Sequence, residues 1–214
     1  MPDFNQLLVA LGWLGAATFA VSGALTASRK QLDPVGFVLI AATTAFGGGT
    51  IRDLLLARPV QWLETPGSAL LVTLVALVAF FTAHLVERRF VLLLWADAVG
   101  MALFAVLGAE AALAEGASAW VAVLLGTITA TFGGALRDVI CGEVPLILRR
   151  EIYATAAALG AGLFVLMTEL GMDRGAAVCA GMAAAFIVRA AALLRGWSLP
   201  TYRNRPGRNY PDHR

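Results

Sequence analysis

The 214-residue chain is 59% hydrophobic and 14% charged, and its mean hydropathy is +0.79. Soluble domains carry about 25% charged residues, so this composition excludes an ordinary soluble protein and indicates an integral membrane protein. The formal net charge is +2, and nothing beyond charge supports a nucleic-acid partner.

Seven apolar stretches are close to the roughly 20 residues that a membrane-spanning helix needs. In chain order they cover residues 6–27, 35–57, 67–86, 90–110, 119–141, 151–170 and 175–194. The stretches are continuously apolar, whereas strands of a membrane β-barrel alternate apolar and polar residues. Segment 70–81 also lacks the polar face of a soluble helix. The sequence therefore predicts an all-α polytopic membrane protein with seven transmembrane helices.

The distribution of basic residues predicts the orientation of these helices. The first stretch lacks a basic n-region and a small-residue cleavage site, so we expect it to remain in the mature protein. Two basic residues, Arg58 and Arg174, fall on one side of the membrane. The other side holds Arg29, Lys30, Arg88, Arg89, Arg149, Arg150, Arg195, Arg203, Arg205, Arg208 and Arg214. The positive-inside rule then predicts an outer N-terminus and a cytoplasmic C-terminus.

The chain contains an internal repeat. FGGGTIRD at residues 46–53 returns as FGGALRD at 132–138, with glycine, arginine and aspartate paired at an offset of 85. FAVSGALTA at 19–27 aligns with DAVGMALFA at 97–105 at an offset of 78, and seven extra residues in the loop between spans four and five reconcile the offsets. Each unit has three spans, an odd number, so the second unit is expected to be inverted. The predicted units are residues 1–89 and 90–170, a seventh helix at 171–196, and a basic, disordered cytoplasmic tail at 197–214.

Four charged residues of the repeat, Arg52, Asp53, Arg137 and Asp138, fall inside predicted spans. An Arg or Asp at the centre of a span costs about 2.5 to 3.5 kcal/mol, so we expect all four to face inward. Adjacent helical residues do not face each other, so Arg52 is expected to pair with a carboxylate of another helix, Asp138 or Asp97. The charges then form either a structural ion-pair network or the lining of a gated polar path.

Glycines and threonines accompany these charges. Each mid-helix glycine costs about 1 kcal/mol relative to alanine, and a run of glycines favours a kink or an interruption. The predicted kinks lie in spans two and five, at Gly47, Gly48, Gly49, Gly133 and Gly134. Close helix packing is the alternative interpretation. The hydroxyls of Thr44 and Thr131 could line the path or bond to their own helix backbone.

The motif GGGTIRD followed by Pro59, the motif GGALRD followed by Pro145, and the duplicated three-helix unit with a seventh helix resemble the bacterial trimeric intracellular cation (TRIC) channel family. The resemblance covers residues 7 to about 194. It implies a homotrimer in the bacterial inner membrane, surrounded by lipids, in which each protomer conducts monovalent cations, chiefly potassium.

The resemblance also assigns roles to residues. It implies that kinked helices two and five surround the pore, with the kinks at the five glycines and pore-side roles for Arg52, Asp53, Arg137 and Asp138. Animal members carry a Lys-Glu-Val signature associated with phosphoinositide binding. The corresponding stretch here, ALRDVICGEV, lacks the lysine, so the resemblance does not extend to that lipid.

Alternative functions remain open at this level. Some bacterial relatives bearing this domain are regarded as glycine transporters, so alternating-access uptake of a small neutral amino acid is the main rival. A scaffold or lipid-binding role is a third hypothesis, supported by small residues near Gly160 and Gly181. We predict no catalytic residue, metal site or cofactor, because His84, Cys141 and Cys179 lack metal-ligand spacing. A TVGYG-like filter is also missing, which predicts modest selectivity for potassium over sodium.

Overall fold

The structure is a computed structural model, and it describes residues 4–200. Its main elements are seven helices: α1 Phe4–Arg29, α2 Pro34–Leu55, α3 Pro66–Thr82, α4 Arg89–Ala114, α5 Ala119–Ile140, α6 Ala154–Glu169 and α7 Arg174–Arg195. A one-turn helix, Gln61–Glu64, lies between α2 and α3, and short 3₁₀ turns occur at Ala83–Leu85 and Leu146–Leu148. Within residues 4–200 the fold is entirely helical.

Six helices are long and apolar enough to cross a membrane, and α6 is a shorter apolar helix. The predicted positions of the seven apolar stretches therefore correspond to α1 through α7. The sixth is shorter than predicted, because α6 begins at Ala154 rather than at 151 and has 16 residues. At a rise of about 1.5 Å per residue it is about 24 Å long. Most of the predicted tail, residues 201–214, lies outside the described residues.

Side chains at two helix starts explain where α2 and α7 begin. The carboxylate of Asp33 accepts the backbone N–H of Gly36 at 2.7 Å, and Pro34 occupies the first helical position. The carboxylate of Asp173 accepts the N–H of Ala176 at 2.9 Å in the same way. Both arrangements satisfy donors that a helix N-terminus otherwise leaves unpaired.

The helices that carry the repeated motif also end alike. After α2, Ala57 has a φ of 51° and the N–H of Arg58 donates to the carbonyl of Asp53 at 3.0 Å. After α5, Gly142 has a φ of 63° and the N–H of Glu143 donates to the carbonyl of Asp138 at 2.8 Å. A left-handed residue followed by this hydrogen bond is the Schellman cap. The repeated sequence thus produces a repeated local structure, with alanine at the left-handed position in one copy and glycine in the other.

The packing arranges the helices in two sets. Helices α1, α2 and α3 contact one another, as do α4, α5 and α6. The sets meet where α1 packs on α4 and α2 packs on α5, while α7 packs on α4 and α6. Small side chains dominate the buried core, with Ala20, Ala105 and Ala130 fully buried among larger residues such as Phe19 and Phe164. The core therefore sits where the two sets of helices meet, and it brings the backbones of α2 and α5 together.

Candidate functional site

Helices α2 and α5 cross through two reciprocal glycine contacts. A β-carbon added at Gly48 would overlap the carbonyl oxygen of Thr129, and one added at Gly133 would overlap the carbonyl oxygen of Thr44. Small residues permit this close approach of two helix backbones. Both helices run unbroken through their glycines, so the interruption that a run of glycines also favours does not occur. The milder expectation of a kink stays a prediction.

The order of these contacts shows how the two helices run. Moving from Thr44 to Gly48 along α2 corresponds to moving from Gly133 back to Thr129 along α5. The helices therefore cross antiparallel. Arg52 lies beyond one end of the crossing and Arg137 lies beyond the opposite end, each in the last turn of its helix. The two Arg-Asp pairs form separate clusters.

The first cluster surrounds Arg52. Its Nε donates to Oδ1 of the adjacent Asp53 at 2.8 Å, and its Nη2 donates to Oε1 of Gln61 at 3.3 Å. The other carboxylate oxygen of Asp53 accepts the backbone N–H of Gln61 at 3.0 Å. Arg58 approaches Asp53 from the loop, with Nε 3.4 Å from Oδ1. The aspartate thus anchors both its neighbouring arginine and the start of the following one-turn helix.

The second cluster surrounds Arg137 and crosses more of the fold. Its Nε donates to Oδ1 of Asp138 at 2.8 Å, and its Nη1 donates to Oδ1 of Asp97 on α4 at 2.9 Å and to the hydroxyl of Ser22 on α1. The second oxygen of Asp138 accepts the N–H of Leu146 at 3.0 Å. Arg137 therefore links three helices, and Asp138 anchors the loop after α5.

These contacts correct one prediction and agree with another. Arg52 does not pair with Asp138 or Asp97, since the antiparallel crossing sends Arg52 and Arg137 toward opposite ends; the long guanidinium side chain reaches its adjacent aspartate instead. All four charged residues of the motif are nevertheless buried, with at most 3% of the surface of each exposed. Their expected inward orientation is confirmed.

The two candidate threonines use their hydroxyl protons within their own helices. The hydroxyl of Thr44 donates to the carbonyl of Ile40 at 2.6 Å, and that of Thr131 donates to the carbonyl of Thr127 at 2.8 Å. Both residues are fully buried. This is the backbone-bonding alternative for helical threonine. The hydroxyl oxygens of the two threonines can still accept a hydrogen bond. Their role in lining a polar path therefore stays a prediction.

The structure also changes the register of the repeat in α1 and α4. A β-carbon at Gly23 would lie 2.6 Å from the hydroxyl of Thr44, and one at Gly108 would lie 2.6 Å from that of Thr129. These positions are 85 residues apart, and FAVSGALTA at 19–27 then aligns with FAVLGAEAA at 104–112. The alignment at an offset of 78 is wrong. Alanine-rich helices match in several registers, and only the glycine contacts distinguish them.

Several polar residues of the site were missed from the sequence. Tyr153 is buried at the start of α6, and its ring lies 5.1 Å from the guanidinium of Arg189. Arg189 Nη2 in turn donates to Glu151 at 2.8 Å. Arg189 could have been recognised from the sequence, because an arginine within the apolar stretch 175–194 indicates a buried polar contact. Tyr153 and Gln61 carried no such signal, because a single polar residue near a helix end is common, and Ser22 carried none, because an isolated serine within an apolar helix is common as well.

A cavity lies on the Arg52 side of the crossing. It encloses about 580 Å³, including its open mouth. Polar groups of Arg52, Asp53, Gln61, Thr65 and Ser68 line it together with the aromatic rings of Trp13, Phe46, Trp62 and Phe104. Among residues 4–200, no three His, Cys, Asp or Glu side chains are grouped closely enough to hold a metal ion.

Comparison with known families explains the doubled architecture. The family model described as "Glycine transporter" matches the chain twice, at residues 9–84 and 94–169. The chain belongs to this family. The two matches begin 85 residues apart, the same offset as the paired glycines.

Known relatives extend over nearly the whole chain. The UPF0126 membrane protein of Vibrio cholerae is 37% identical over 203 residues, which cover 92% of this chain and 84% of that protein. The UPF0126 inner membrane protein YadS of Escherichia coli strain K12 is also 37% identical, over 92% of this chain and 97% of that protein. Together with the six helices within residues 4–200 that are long and apolar enough to span a membrane, these relatives identify a multi-pass protein of the bacterial inner membrane.

A solved structure shares the fold in detail. The TRIC trimeric intracellular cation channel orthologue from Rhodobacter sphaeroides has a TM-score of 0.87 and 54% sequence identity, covering 89% of this chain and 99% of that chain. The predicted resemblance to TRIC channels is confirmed.

Proposed function

We propose that this protein is a homotrimeric channel for monovalent cations, chiefly potassium, with one pore in each protomer along the crossing of α2 and α5. The supporting observation is the pair of buried Arg-Asp clusters at opposite ends of that crossing. Ionised groups at membrane depth persist where they face protein or a polar path. The 54% identity to a TRIC channel orthologue supports the same function.

The pore is formed between two inverted three-helix units, residues 1–89 and 90–170. The twice-matching family model and the antiparallel, reciprocal glycine contacts support this arrangement. Inverted repeats commonly place a transport site where their equivalent helices meet. Slight kinks at the five glycines then adjust the width of the path, and the seventh helix, 171–196, supports the second unit.

The Arg137 cluster is the proposed gate. Oδ2 of Asp97, Nη2 of Arg137 and the hydroxyl of Tyr153 are buried and make no hydrogen bond within the described residues. A β-carbon at Gly134 would lie 3.2 Å from Oδ1 of Asp97, 3.2 Å from the Tyr153 hydroxyl and 3.5 Å from Nη2 of Arg137, so these three side chains converge on one point. Oδ2 of Asp97 and the Tyr153 oxygen can accept hydrogen bonds from the water shell of a passing cation, whereas the positive charge of Arg137 opposes its passage. Separation of Arg137 from Asp97 opens the path.

Single-channel recording tests the channel. The purified protein in a planar bilayer under a potassium chloride gradient is expected to give unitary currents that reverse near the potassium potential. Substitution of sodium for potassium is expected to lower the current only modestly. Equal permeability to chloride and potassium contradicts the proposal. Mass measurement of the detergent-solubilised protein tests the trimer.

A carrier for glycine or another small neutral amino acid is the second candidate. Two observations favour it: the description of the matching family model, and a cavity on one side of the crossing where the equivalent space on the other side is filled. Alternating-access carriers need such one-sided access. Electrical silence combined with saturable glycine uptake into liposomes supports the carrier over the channel.

The proposed orientation has the N-terminus outside and the C-terminus in the cytoplasm, as the basic residues predict. A green fluorescent protein fused after Arg214 is then expected to fluoresce, and alkaline phosphatase fused there is expected to be inactive. An active phosphatase with a dark fluorescent fusion contradicts the orientation. In this orientation the Arg52 cavity lies toward the outside and the Arg137 cluster lies toward the cytoplasm.

A further inference from the structure

The cavity beside Arg52 occupies the position that, in the other half of the protein, is filled by an aspartate and a tyrosine. At an offset of 85 residues, Gly12 corresponds to Asp97, and Ser68 corresponds to Tyr153. Gly12 and Ser68 both line the cavity. The two halves thus share the buried arginine of the motif but differ in what stands opposite it.

The free space beside the glycines of the repeated motif differs between the two halves. A β-carbon at Gly134 would lie 3.2 Å from both Oδ1 of Asp97 and the hydroxyl of Tyr153. At the equivalent Gly49 it would meet only Nη2 of Arg52, at 3.9 Å, and at Gly12 it would meet nothing within 4 Å. The space that a carboxylate fills in one half is open in the other.

The two buried arginines also differ in the number of carboxylates that they contact. Arg137 contacts two carboxylates, Asp138 at 2.8 Å and Asp97 at 2.9 Å. Arg52 contacts the single carboxylate of Asp53, which also serves Arg58 at 3.4 Å. Only 3% of the surface of Arg52 is exposed, and its Nη1 makes no hydrogen bond within the described residues. A buried guanidinium with an unused donor favours an anionic partner.

We propose that this cavity binds a small monocarboxylate anion of the acetate or propionate class, whose carboxylate takes the place of the Asp97 carboxylate and accepts from Arg52. The short alkyl group lies against the aromatic rings of Trp13, Phe46 and Phe104, which line the same cavity. Ligand sites commonly combine apolar walls with a few polar groups in this manner. The site goes beyond cation conduction and is expected whether the protein is a channel or a carrier.

Acetate binding to the full-length protein in detergent tests the proposal. Thermal unfolding is followed while sodium acetate replaces sodium chloride at constant ionic strength and pH, and isothermal titration measures the affinity. We expect the unfolding temperature to rise and to saturate with acetate, because a ligand that binds only the folded state stabilises it. An equal response to chloride overturns the carboxylate assignment. Saturable binding of glycine without binding of acetate overturns it as well and favours the carrier.

Three variants locate the site. Gly12→Asp supplies an internal carboxylate in open space, so it is expected to abolish acetate binding and to raise the unfolding temperature without acetate. Gly12→Ala adds only a β-carbon there and is expected to retain binding. Arg52→Gln is expected to weaken binding by about tenfold or more, since a charge-assisted hydrogen bond is lost. If Gly12→Asp folds and binds acetate like the wild type, the proposed position is wrong. The potassium currents expected of the wild-type channel do not depend on acetate binding, so the two proposals fail separately.

Discussion

Gly48 packs directly against the main-chain carbonyl of Thr129, so closely that a β-carbon at position 48 would overlap the carbonyl oxygen. The reciprocal contact places Gly133 on the carbonyl of Thr44. These two contacts bring α2 and α5 to their closest approach and set the antiparallel crossing between the two charged clusters. Both glycines are therefore needed for packing, whatever kink they also permit.

Replacing either glycine by alanine is expected to destabilise the protein. Gly48→Ala and Gly133→Ala must push the backbones of α2 and α5 apart, and overpacking of this kind costs about 1 to 3 kcal/mol. The expected result is a lower unfolding temperature in detergent and altered unitary conductance.

Gly162→Ala is the matched control for these glycine variants. A β-carbon at Gly162 in α6 meets nothing within 4 Å. It should leave stability unchanged or raise it slightly, because alanine favours a helix by about 1 kcal/mol. Equal effects of Gly48→Ala and Gly162→Ala would show that close approach at Gly48 does not matter.

Replacing Asp97 by asparagine is expected to loosen the proposed gate. Asp97→Asn removes one of the two carboxylates that hold Arg137, while Asp138 remains at 2.8 Å. Loss of a buried charge-assisted hydrogen bond costs about 1.5 to 3 kcal/mol. The unfolding temperature should fall, and single-channel recording should give a higher open probability.

The exposed carboxylate of Glu64 offers the control for Asp97. Glu64→Gln changes the formal charge equally but removes no ion pair among the described residues, so both readouts should match the wild type. A destabilised Asp97→Asn channel with unchanged gating would assign the Arg137 cluster a structural role alone.

The helix caps after α2 and α5 predict stability changes of opposite sign. Ala57 adopts a left-handed conformation, with φ of 51°, which glycine accepts without strain. Ala57→Gly is expected to stabilise the fold by about 0.5 kcal/mol, because relief of strain outweighs the added freedom of the unfolded chain. Gly142→Ala, at φ of 63°, should destabilise it by about 1 kcal/mol. Thermal unfolding of the two variants checks the signs, and shifts in the same direction would contradict the cap geometry.

Arg189 is expected to hold α7 against the loop before α6. Its Nη1 donates to the carbonyl of Ile152 at 3.1 Å and its Nη2 to Glu151 at 2.8 Å. Arg189→Gln should lower stability by about 1 to 3 kcal/mol, because the shorter and uncharged glutamine amide cannot reach both acceptors. Cys179→Ala, an exposed position on the same helix, is the control and should unfold at the wild-type temperature. Equal unfolding temperatures for both variants would mean that Arg189 adds nothing to the docking of α7.

The amino-acid sequence by itself determined the membrane class, the number and order of the helices, the doubled motif and the burial of its charges. Each of these follows from composition or from the cost of placing an ion in lipid, which every position of a long apolar stretch shares. The starts of α2 and α7, after Asp33 and Asp173, follow from local capping.

Only the tertiary structure decided which charges meet. Sequence spacing favoured a pairing of Arg52 with Asp138 or Asp97, but the point at which α2 and α5 cross depends on how Gly48 and Gly133 fit a neighbouring backbone, and that point leaves Arg52 and Arg137 at opposite ends. The same contacts fixed the register of α1 against α4, which alanine-rich sequence leaves ambiguous. The empty space at Gly12 was invisible for a similar reason: an absent side chain becomes a cavity only when the surrounding helices are held in place.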